Sequence, residues 1–356
     1  MKIVLVGAYG YTGRIICEML QEQQIRFTAA GKDEGQISQL LACFPAIEAT
    51  KIIDISQPEM LPDFIAQFDL FINCAGPFTE ESQEFVKAVA NSEKKYYLDI
   101  SGELNYVRRS RENYHETAKA NQTLLIHACA FESFIADLGY QLLSKGMNHI
   151  KSIKTYYHFE KSRPSPGTKI TMKLSALRKF DMIKNSAWQV ISSVSDQETV
   201  KWRDSEPLQA VPYPLPEVAF FHWQTQAEQI GSYMLLEKEA SLFVGTKTPN
   251  EAAIPEQLEL LKQRKGSGPS AEERKQQQST LYIEISGEDS QKKRLRLICE
   301  DMYQITASCI GLLVDQIRAG KCHEKGVLRP AVCFSDERTV LQKLGVEVQQ
   351  TEEIGE

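Results

Sequence analysis

The sequence is poor in the residues that build metal centres. Its six histidines (His115, His127, His149, His158, His222 and His323) never recur at H-x-x-x-H or a related ligand spacing, and its eight cysteines include no C-x-x-C pair. No metal is expected. Cys17, Cys74, Cys129 and Cys309 lie inside apolar runs, where a reduced thiol behaves as a small hydrophobe, and Cys322 beside His323 reads as a loop position. A reduced, cytoplasmic protein is the expectation. Positive charge is also scarce: 41 basic against 47 acidic side chains leave a net charge of −6, so no basic excess points to nucleic acid. Long hydrophobic runs are absent too. The longest are broken by Asn73, Gly311 and Asp315, well short of the roughly 18 consecutive apolar residues of a membrane-spanning helix. The opening MKIVLVGAYG is too short before Gly7 for the apolar stretch of a signal peptide and reads as a buried first strand.

What is present is an average globular composition, 42% hydrophobic and 25% charged, over 356 residues. At roughly 150 residues per domain, that length suits two domains. In the first third, short apolar or β-branched runs at 2–6, 26–30, 51–55, 69–74, 96–100 and 123–129 alternate with helix-length segments at 13–22, 36–43, 58–67, 80–91 and 106–121. Strands joined by crossovers predict a doubly wound α/β fold, a parallel Rossmann sheet with helices on both faces. Beyond residue 137 the rhythm changes to strand-like pieces at 150–159, 169–174, 231–236 and 280–286, a second, mainly antiparallel α+β domain. Loops are expected at the proline-dense 207–216 and the charged 262–279, and an amphipathic helix from Met302 to Ala319. The expected division is 1–136 for a dinucleotide-binding domain, 137–300 for a second domain serving substrate or oligomerisation, and 301–356 for a helix and tail returning to the first.

The sharpest local pattern is GAYGYTG at 7–13, directly after a strand and opening a helix. In a dinucleotide fold Gly7 makes the tight turn, Gly10 lets backbone approach the pyrophosphate and Gly13 packs helix on strand, while Tyr9, Tyr11 and Thr12 border the phosphates. The second strand ends AAGK, and Lys32 can pair with a 2′-phosphate where an acidic residue would select NAD. NADP is therefore favoured, with NAD left open because Asp33 and Glu34 follow. Asp54 ends the third strand and reads either as an adenine-edge contact or as an exposed turn aspartate. Ala75, Gly76, Pro77 and Phe78 follow the fourth strand and suit close passage of the ribose and nicotinamide. The fifth strand ends DISGE, placing Asp99 and Glu103 at the same sheet edge; they read as proton-transfer or substrate-orienting groups, or as a turn holder and a helix cap.

Taken in order, these segments resemble the saccharopine dehydrogenase-like oxidoreductases, the group that includes trans-acting enoyl reductases. The resemblance rests on GAYGYTG, INCAGPF at 72–78, YYLDISGE at 96–103, YHETA at 114–118, AFESFIADLG at 130–139, GPSAEER at 268–274 and GVLRPA at 326–331. It implies an NADP-dependent oxidoreductase that transfers hydride to or from a small-molecule or lipid-like substrate. The family's Gly-Phe-Asp-Ser-x-Pro is replaced here by Ala130-Phe131-Glu132-Ser133-Phe134-Ile135, with Asp137-Leu138-Gly139 kept downstream. Glu103, Glu132 and Asp99 are the candidate catalytic carboxylates; Tyr97 is a weaker candidate, and Asp137 reads either as another or as the cap of a helix near Leu138.

Two rival readings stand beside this one. A non-catalytic NADP-binding sensor or interaction protein would keep the glycine turn without the acid. Alternatively, Tyr157 and Lys161, with Ser144 thirteen residues upstream of the tyrosine, have the spacing of a short-chain dehydrogenase triad, which requires Tyr and Lys one helical turn apart. A homodimer is compatible with any of them.

Overall fold

Six short apolar runs do become strands of one parallel sheet. In the computed structural model, which describes residues 1–175, 180–192, 196–202, 206–238, 241, 254–263, 266–288 and 291–351, they are β1 (Ile3–Val6), β2 (Phe27–Gly31), β3 (Ile47–Ile52), β4 (Leu70–Asn73), β5 (Tyr96–Asp99) and β6 (Leu124–Ile126). Their crossovers contain α1 (Tyr11–Glu22), α2 (Glu34–Cys43), α3 (Leu61–Ala66), α4 (Glu80–Ala90) and α5 (Leu104–Ala120). The third strand begins four residues earlier than its apolar run suggests. It is the edge strand, so Glu48, Lys51 and Ile52 face water and no buried stripe marks it.

After α6 (Phe131–Ser144) the chain builds a second, mixed sheet from β7 (Ile150–Phe159), β8 (Phe180–Lys184), β9 (Ala187–Ile191), β10 (Glu198–Val200), β11 (Leu208–Pro212), β12 (Gln229–Leu236), β13 (Gln278–Gly287) and β14 (Lys292–Glu300). Its pairings are antiparallel except that β12 runs parallel to β7. Helices α7 (Pro166–Ser175), α8 (Glu217–His222), α9 (Ile254–Gln263) and α10 (Ala271–Lys275) are inserted between strands. Then α11 (Met302–Arg318) leads to β15 (Gly326–Leu328), α12 (Glu337–Lys343) and β16 (Glu347–Thr351). β15 extends the first sheet beside β6 and β16 extends the second beside β14, so the last fifty residues visit both sheets.

Three local expectations change. The β-branched segment 169–174 is helical, because Pro166 starts α7 with its fixed φ and Ser165 Oγ accepts from Thr168 N at 3.3 Å. The proline-rich segment contributes β11, whose prolines flank or end the strand. Within 262–279, α10 carries a capping box between Ser270 and Glu273, while 264–265 lie outside the described residues. Cysteine usage also differs from the reduced reading: Cys322 and Cys333 form a disulfide that brackets β15, their Cα atoms 5.0 Å apart, a pairing across eleven residues that no spacing motif signals. Cys17, Cys129 and Cys309 are free and buried, and Cys74 is free and half-buried. Among the described residues no helix is long and apolar enough to cross a membrane, and no group of three potential metal ligands occurs.

The order β15-β6-β5-β4-β1-β2-β3 puts the reversal of strand order between β1 and β4. Ligands of open α/β sheets bind in the crevice outside the carboxyl ends of such a pair. Two close approaches bring the rest of the chain to that edge. At Gly311 an added Cβ would lie 2.7 Å from Met19 Sδ, which packs α11 directly on α1. At Gly139 it would lie 2.5 Å from Ile283, which packs α6 on the second sheet.

The end of β5 is held by a buried polar network. Asp99 Oδ2 pairs with His127 Nδ1 at 2.6 Å, His127 Nε2 meets Ser110 Oγ at 2.7 Å, and Asp99 Oδ1 accepts from Ser101 N, Ser101 Oγ and Ala128 N. Burial pushes the Asp99 carboxyl up, but the His127 imidazole and the hydrogen bonds from Ser101 and Ala128 outweigh it and hold the group below the usual carboxylate range. A carboxyl whose folded pKa is depressed stabilises the fold above its unfolded value, and that contribution fades as pH falls toward the folded value. Asp99→Asn should therefore cost about 3 kcal/mol at neutral pH, with a smaller difference from wild type near pH 3, as read by urea unfolding at both pH values.

Candidate active site

The chain leaves β1 through a turn that only glycine can make. Gly7 has φ +77°, and a Cβ there would lie 2.8 Å from Ala75 N, while one on Gly13 would lie 2.3 Å from Gly7 O. Gly10 is less confined, its Cβ 3.1 Å from Gly7 O, and it serves as the N-cap of α1 with no side-chain cap. Helix α1 has no acidic residue in its first turn. The N–H groups of that turn therefore remain available to an anion, and the missing Cβ at Gly10 leaves the approach open. These features fit a dinucleotide pyrophosphate.

A cavity of about 700 Å³ starts at this turn and runs along the carboxyl edge of the sheet. Every expected cofactor residue lines it: Gly7, Tyr9, Gly10, Tyr11, Thr12, Gly13, Lys32, Asp54, Ala75, Gly76, Pro77 and Phe78. Lys32 is exposed at the end of β2, and the Tyr9 ring crosses Gly31, where a Cβ would meet it at 2.4 Å. Asp54 lines the cavity and also holds a turn: Ser56 N and Oγ donate to it at 3.1 and 2.7 Å and keep its carboxyl below the usual range. Tyr11 is committed elsewhere, donating its hydroxyl to Pro269 O at 2.5 Å while its ring meets Tyr303 edge-on at 4.9 Å. After β4, Asn73 Oδ1 accepts from Ala75 N, and a cis Gly76–Pro77 bond leads to Phe78, packed on Tyr106.

The far end of the cavity holds two of the three candidate carboxylates. Glu103 precedes α5 but makes no cap; its oxygens accept from Gly102 N at 2.8 Å and Thr171 Oγ1 at 3.2 Å. Glu132 sits in the first turn of α6, half-buried against the cavity. Burial pushes its carboxyl up to about 7; its own backbone N–H opposes this, and the charges of Glu217 and Glu103 add to it. Opposite stands Tyr213, whose phenol is raised by burial and by the charges of Glu132, Glu103 and Glu217. The second domain supplies Phe159, Ile170, Met172, Leu215, Met234 and Leu236 to the wall, together with the hydroxyls of Ser162, Ser165, Thr168 and Thr171.

Other candidates are placed elsewhere. Asp99 is fully buried and does not line the cavity; both its oxygens serve the network behind β5, so it holds the turn and does not reach a ligand. Tyr97 is buried between Asn73 and Tyr106. Asp137 lies inside α6, not at a helix start, and binds Arg329 Nη1 at 3.0 Å and Ala331 N at 2.8 Å. The short-chain dehydrogenase triad is not assembled. Tyr157 lies in β7 with its hydroxyl on Glu217 at 2.8 Å, Lys161 follows the strand on the surface, and Ser144 ends α6. Tyr213 and Glu217 are the functional candidates that sequence reasoning misses. Each is a single residue near Pro214 and Pro216, with no local pattern to mark it.

Fold and cavity together define an open α/β dinucleotide-binding protein with a second domain closing the crevice. Residues 3–126 match the family model of the saccharopine dehydrogenase NADP binding domain. A probable mitochondrial saccharopine dehydrogenase-like oxidoreductase of Arabidopsis thaliana is 33% identical over 151 residues, which are 38% of this chain and 33% of that protein. A trans-acting enoyl reductase of Mycobacterium leprae (strain TN) is 32% identical over 146 residues, 39% of this chain and 35% of that protein. The match thus spans about a third of the length of these curated relatives. In fold the whole chain is similar to apo saccharopine dehydrogenase (L-Glu forming) from Saccharomyces cerevisiae, with a TM-score of 0.60 at 12% identity, covering 99% of this chain and 100% of that one.

The glycine contacts order the sensitivities of the turn. Gly13→Ala forces backbone apart at 2.3 Å and should abolish NADPH binding, whereas Gly10→Ala, whose Cβ is 3.1 Å from a single oxygen, should weaken it far less. Isothermal titration of both variants with NADPH checks the order.

Proposed function

We propose that the protein is an NADP-dependent oxidoreductase in which Glu132 supplies the proton that accompanies hydride transfer. The observation that carries this reading is the single cavity that has the uncapped glycine turn at one end and Glu132 at the other. The α1 N–H groups would hold the pyrophosphate, Lys32 the 2′-phosphate, Asp54 the adenosine side and the 75–78 loop the nicotinamide side. Bound NADPH supplies a hydride to an electrophilic carbon of a carbonyl, imine or activated alkene. The chain's own part is to deliver one proton to the neighbouring oxygen, nitrogen or carbon and so balance the charge. A carboxyl held near 7 is still partly protonated at neutral pH, which suits a general acid. Glu103 and Tyr213 border the same end and would orient the acceptor. The aliphatic and aromatic part of the wall favours an acceptor with an apolar, lipid-like portion.

Two variants test separate parts of this reading. Lys32→Asp should weaken NADPH binding by tenfold to over a hundredfold, about 1–3 kcal/mol for reversing a charge beside a phosphate, with little effect on NADH. Equal loss for both cofactors would remove Lys32 from the 2′-phosphate site. Glu132→Gln should leave NADPH affinity within about twofold and lower kcat by roughly 10²–10⁴, on whichever acceptor a screen of NADPH oxidation over carbonyl, imine and enoyl compounds identifies. Tight NADPH binding without turnover on any acceptor would favour a sensor instead.

A further inference from the structure

Behind Glu132 lies a second carboxylate with no access to the cavity. Glu217 opens α8 and is 0% exposed. Its oxygens are met by four hydroxyl groups: Ser133 Oγ on Oε2 at 2.8 Å, and Thr155 Oγ1, Tyr157 and Ser232 Oγ on Oε1 at 3.1, 2.8 and 2.9 Å. Those donors come from α6, β7 and β12. Ser133 adjoins Glu132 in the chain, and the Tyr157 hydroxyl also lies 3.3 Å from the Glu132 carbonyl oxygen. The carboxyl of Glu132 itself is met only by its own backbone N–H among the described residues.

We propose that Glu217 is a positioning residue that pins the first turn of α6 to the second sheet and, as the ionised member of the pair, leaves the proton on Glu132. This rests on the reading of Glu132 as the acid. Two buried carboxyls that sense one another do not both ionise readily, and donors to the ionised form decide which of them does. Burial lifts both groups above the usual carboxylate range. Hydroxyl donors restrain the rise at Glu217 and are missing at Glu132, so Glu217 ionises first. The other groups facing Glu132 are Glu103 from the turn before α5, Tyr157 from β7 and Tyr213 from the segment before α8. None of these is cationic, so none favours the ionised form of Glu132. The proton therefore remains on the one carboxyl that faces the cavity.

The test is a ¹³C-detected NMR titration of the cofactor-free protein labelled in its glutamate carboxyls, with the Glu132 resonance assigned through Glu132→Gln. Wild type should show a Glu132 midpoint near neutrality. Glu217→Gln removes the charge behind it and should lower that midpoint by about one pH unit or more, a tenfold change in proton affinity. Should Glu217→Gln fail to fold, Ser232→Ala and Thr155→Val each keep Glu217 but remove one donor; the proton then shifts toward Glu217 and the Glu132 midpoint again falls. A Glu132 midpoint that stays in place in the folded variants, or that lies in the usual carboxylate range in wild type, overturns the proposal. A purely structural Glu217 would alter unfolding without moving the midpoint. Because the titration needs no cofactor or acceptor, failure of the oxidoreductase reading, seen as absent NADPH binding, remains distinguishable from failure of this one.

Discussion

How closely the chain can approach itself at the glycine turn governs the rest of the site. Gly7 backs onto the Cys74–Ala75 backbone and Gly13 onto the Gly7 carbonyl, both at distances that exclude a side chain. That contact presses the start of α1 against the end of β4, so the uncapped N–H groups and the 75–78 loop share one crevice. Were the turn wider, strand order alone would still make a crevice there, but the helix dipole would point past it.

The acid end is organised by the opposite device. Where the glycine-turn end offers uncapped backbone N–H groups, the far end concentrates carboxyls and controls them through hydrogen bonding. Asp99, Glu132 and Glu217 show three outcomes for one functional group. Asp99 has His127, Ser101 and Ala128 as partners and is held down. Glu217 has four hydroxyls against complete burial. Glu132 has burial and like charges with one backbone N–H, and it is pushed up. Burial does not order them; the His127 partner of Asp99 and the hydroxyl donors of Glu217, both missing at Glu132, do.

This explains how much was legible beforehand. GAYGYTG declares itself because its meaning is local: strand, tight turn and helix are contiguous. Glu103 and Glu132 are likewise recoverable, since strand ends and following helix starts in such a sheet meet at one edge. Asp99 looked equally suitable, because nothing adjacent shows that His127, twenty-eight residues on, takes its carboxylate inward. Glu217 depends on two serines, a threonine and a tyrosine scattered from 133 to 232, and the Cys322–Cys333 pair on a fold-back around β15. The helix α7 was hidden by its β-branched residues, which packing against the cavity overrides.

The two ends of the cavity are spaced by the start of α11. Asp301 adopts a left-handed φ of 41°, a conformation that disfavours most side chains, and is secured there by accepting from Gln304 N and from Arg274 Nε at 3.0 Å to each oxygen. Two residues on, Tyr303 packs against Tyr11 in the glycine turn, and three beyond that Thr306 Oγ1 accepts from Phe131 N at 3.1 Å, next to Glu132. One helical turn thus touches both the glycine turn and the helix start that carries Glu132. Arg274 reaches Tyr11 as well, at 3.3 Å, so the second domain closes on the first through the same few side chains. The spacing between the glycine turn and Glu132 is therefore set by one helix end, which is where a reaction needing aligned atoms would have most to gain.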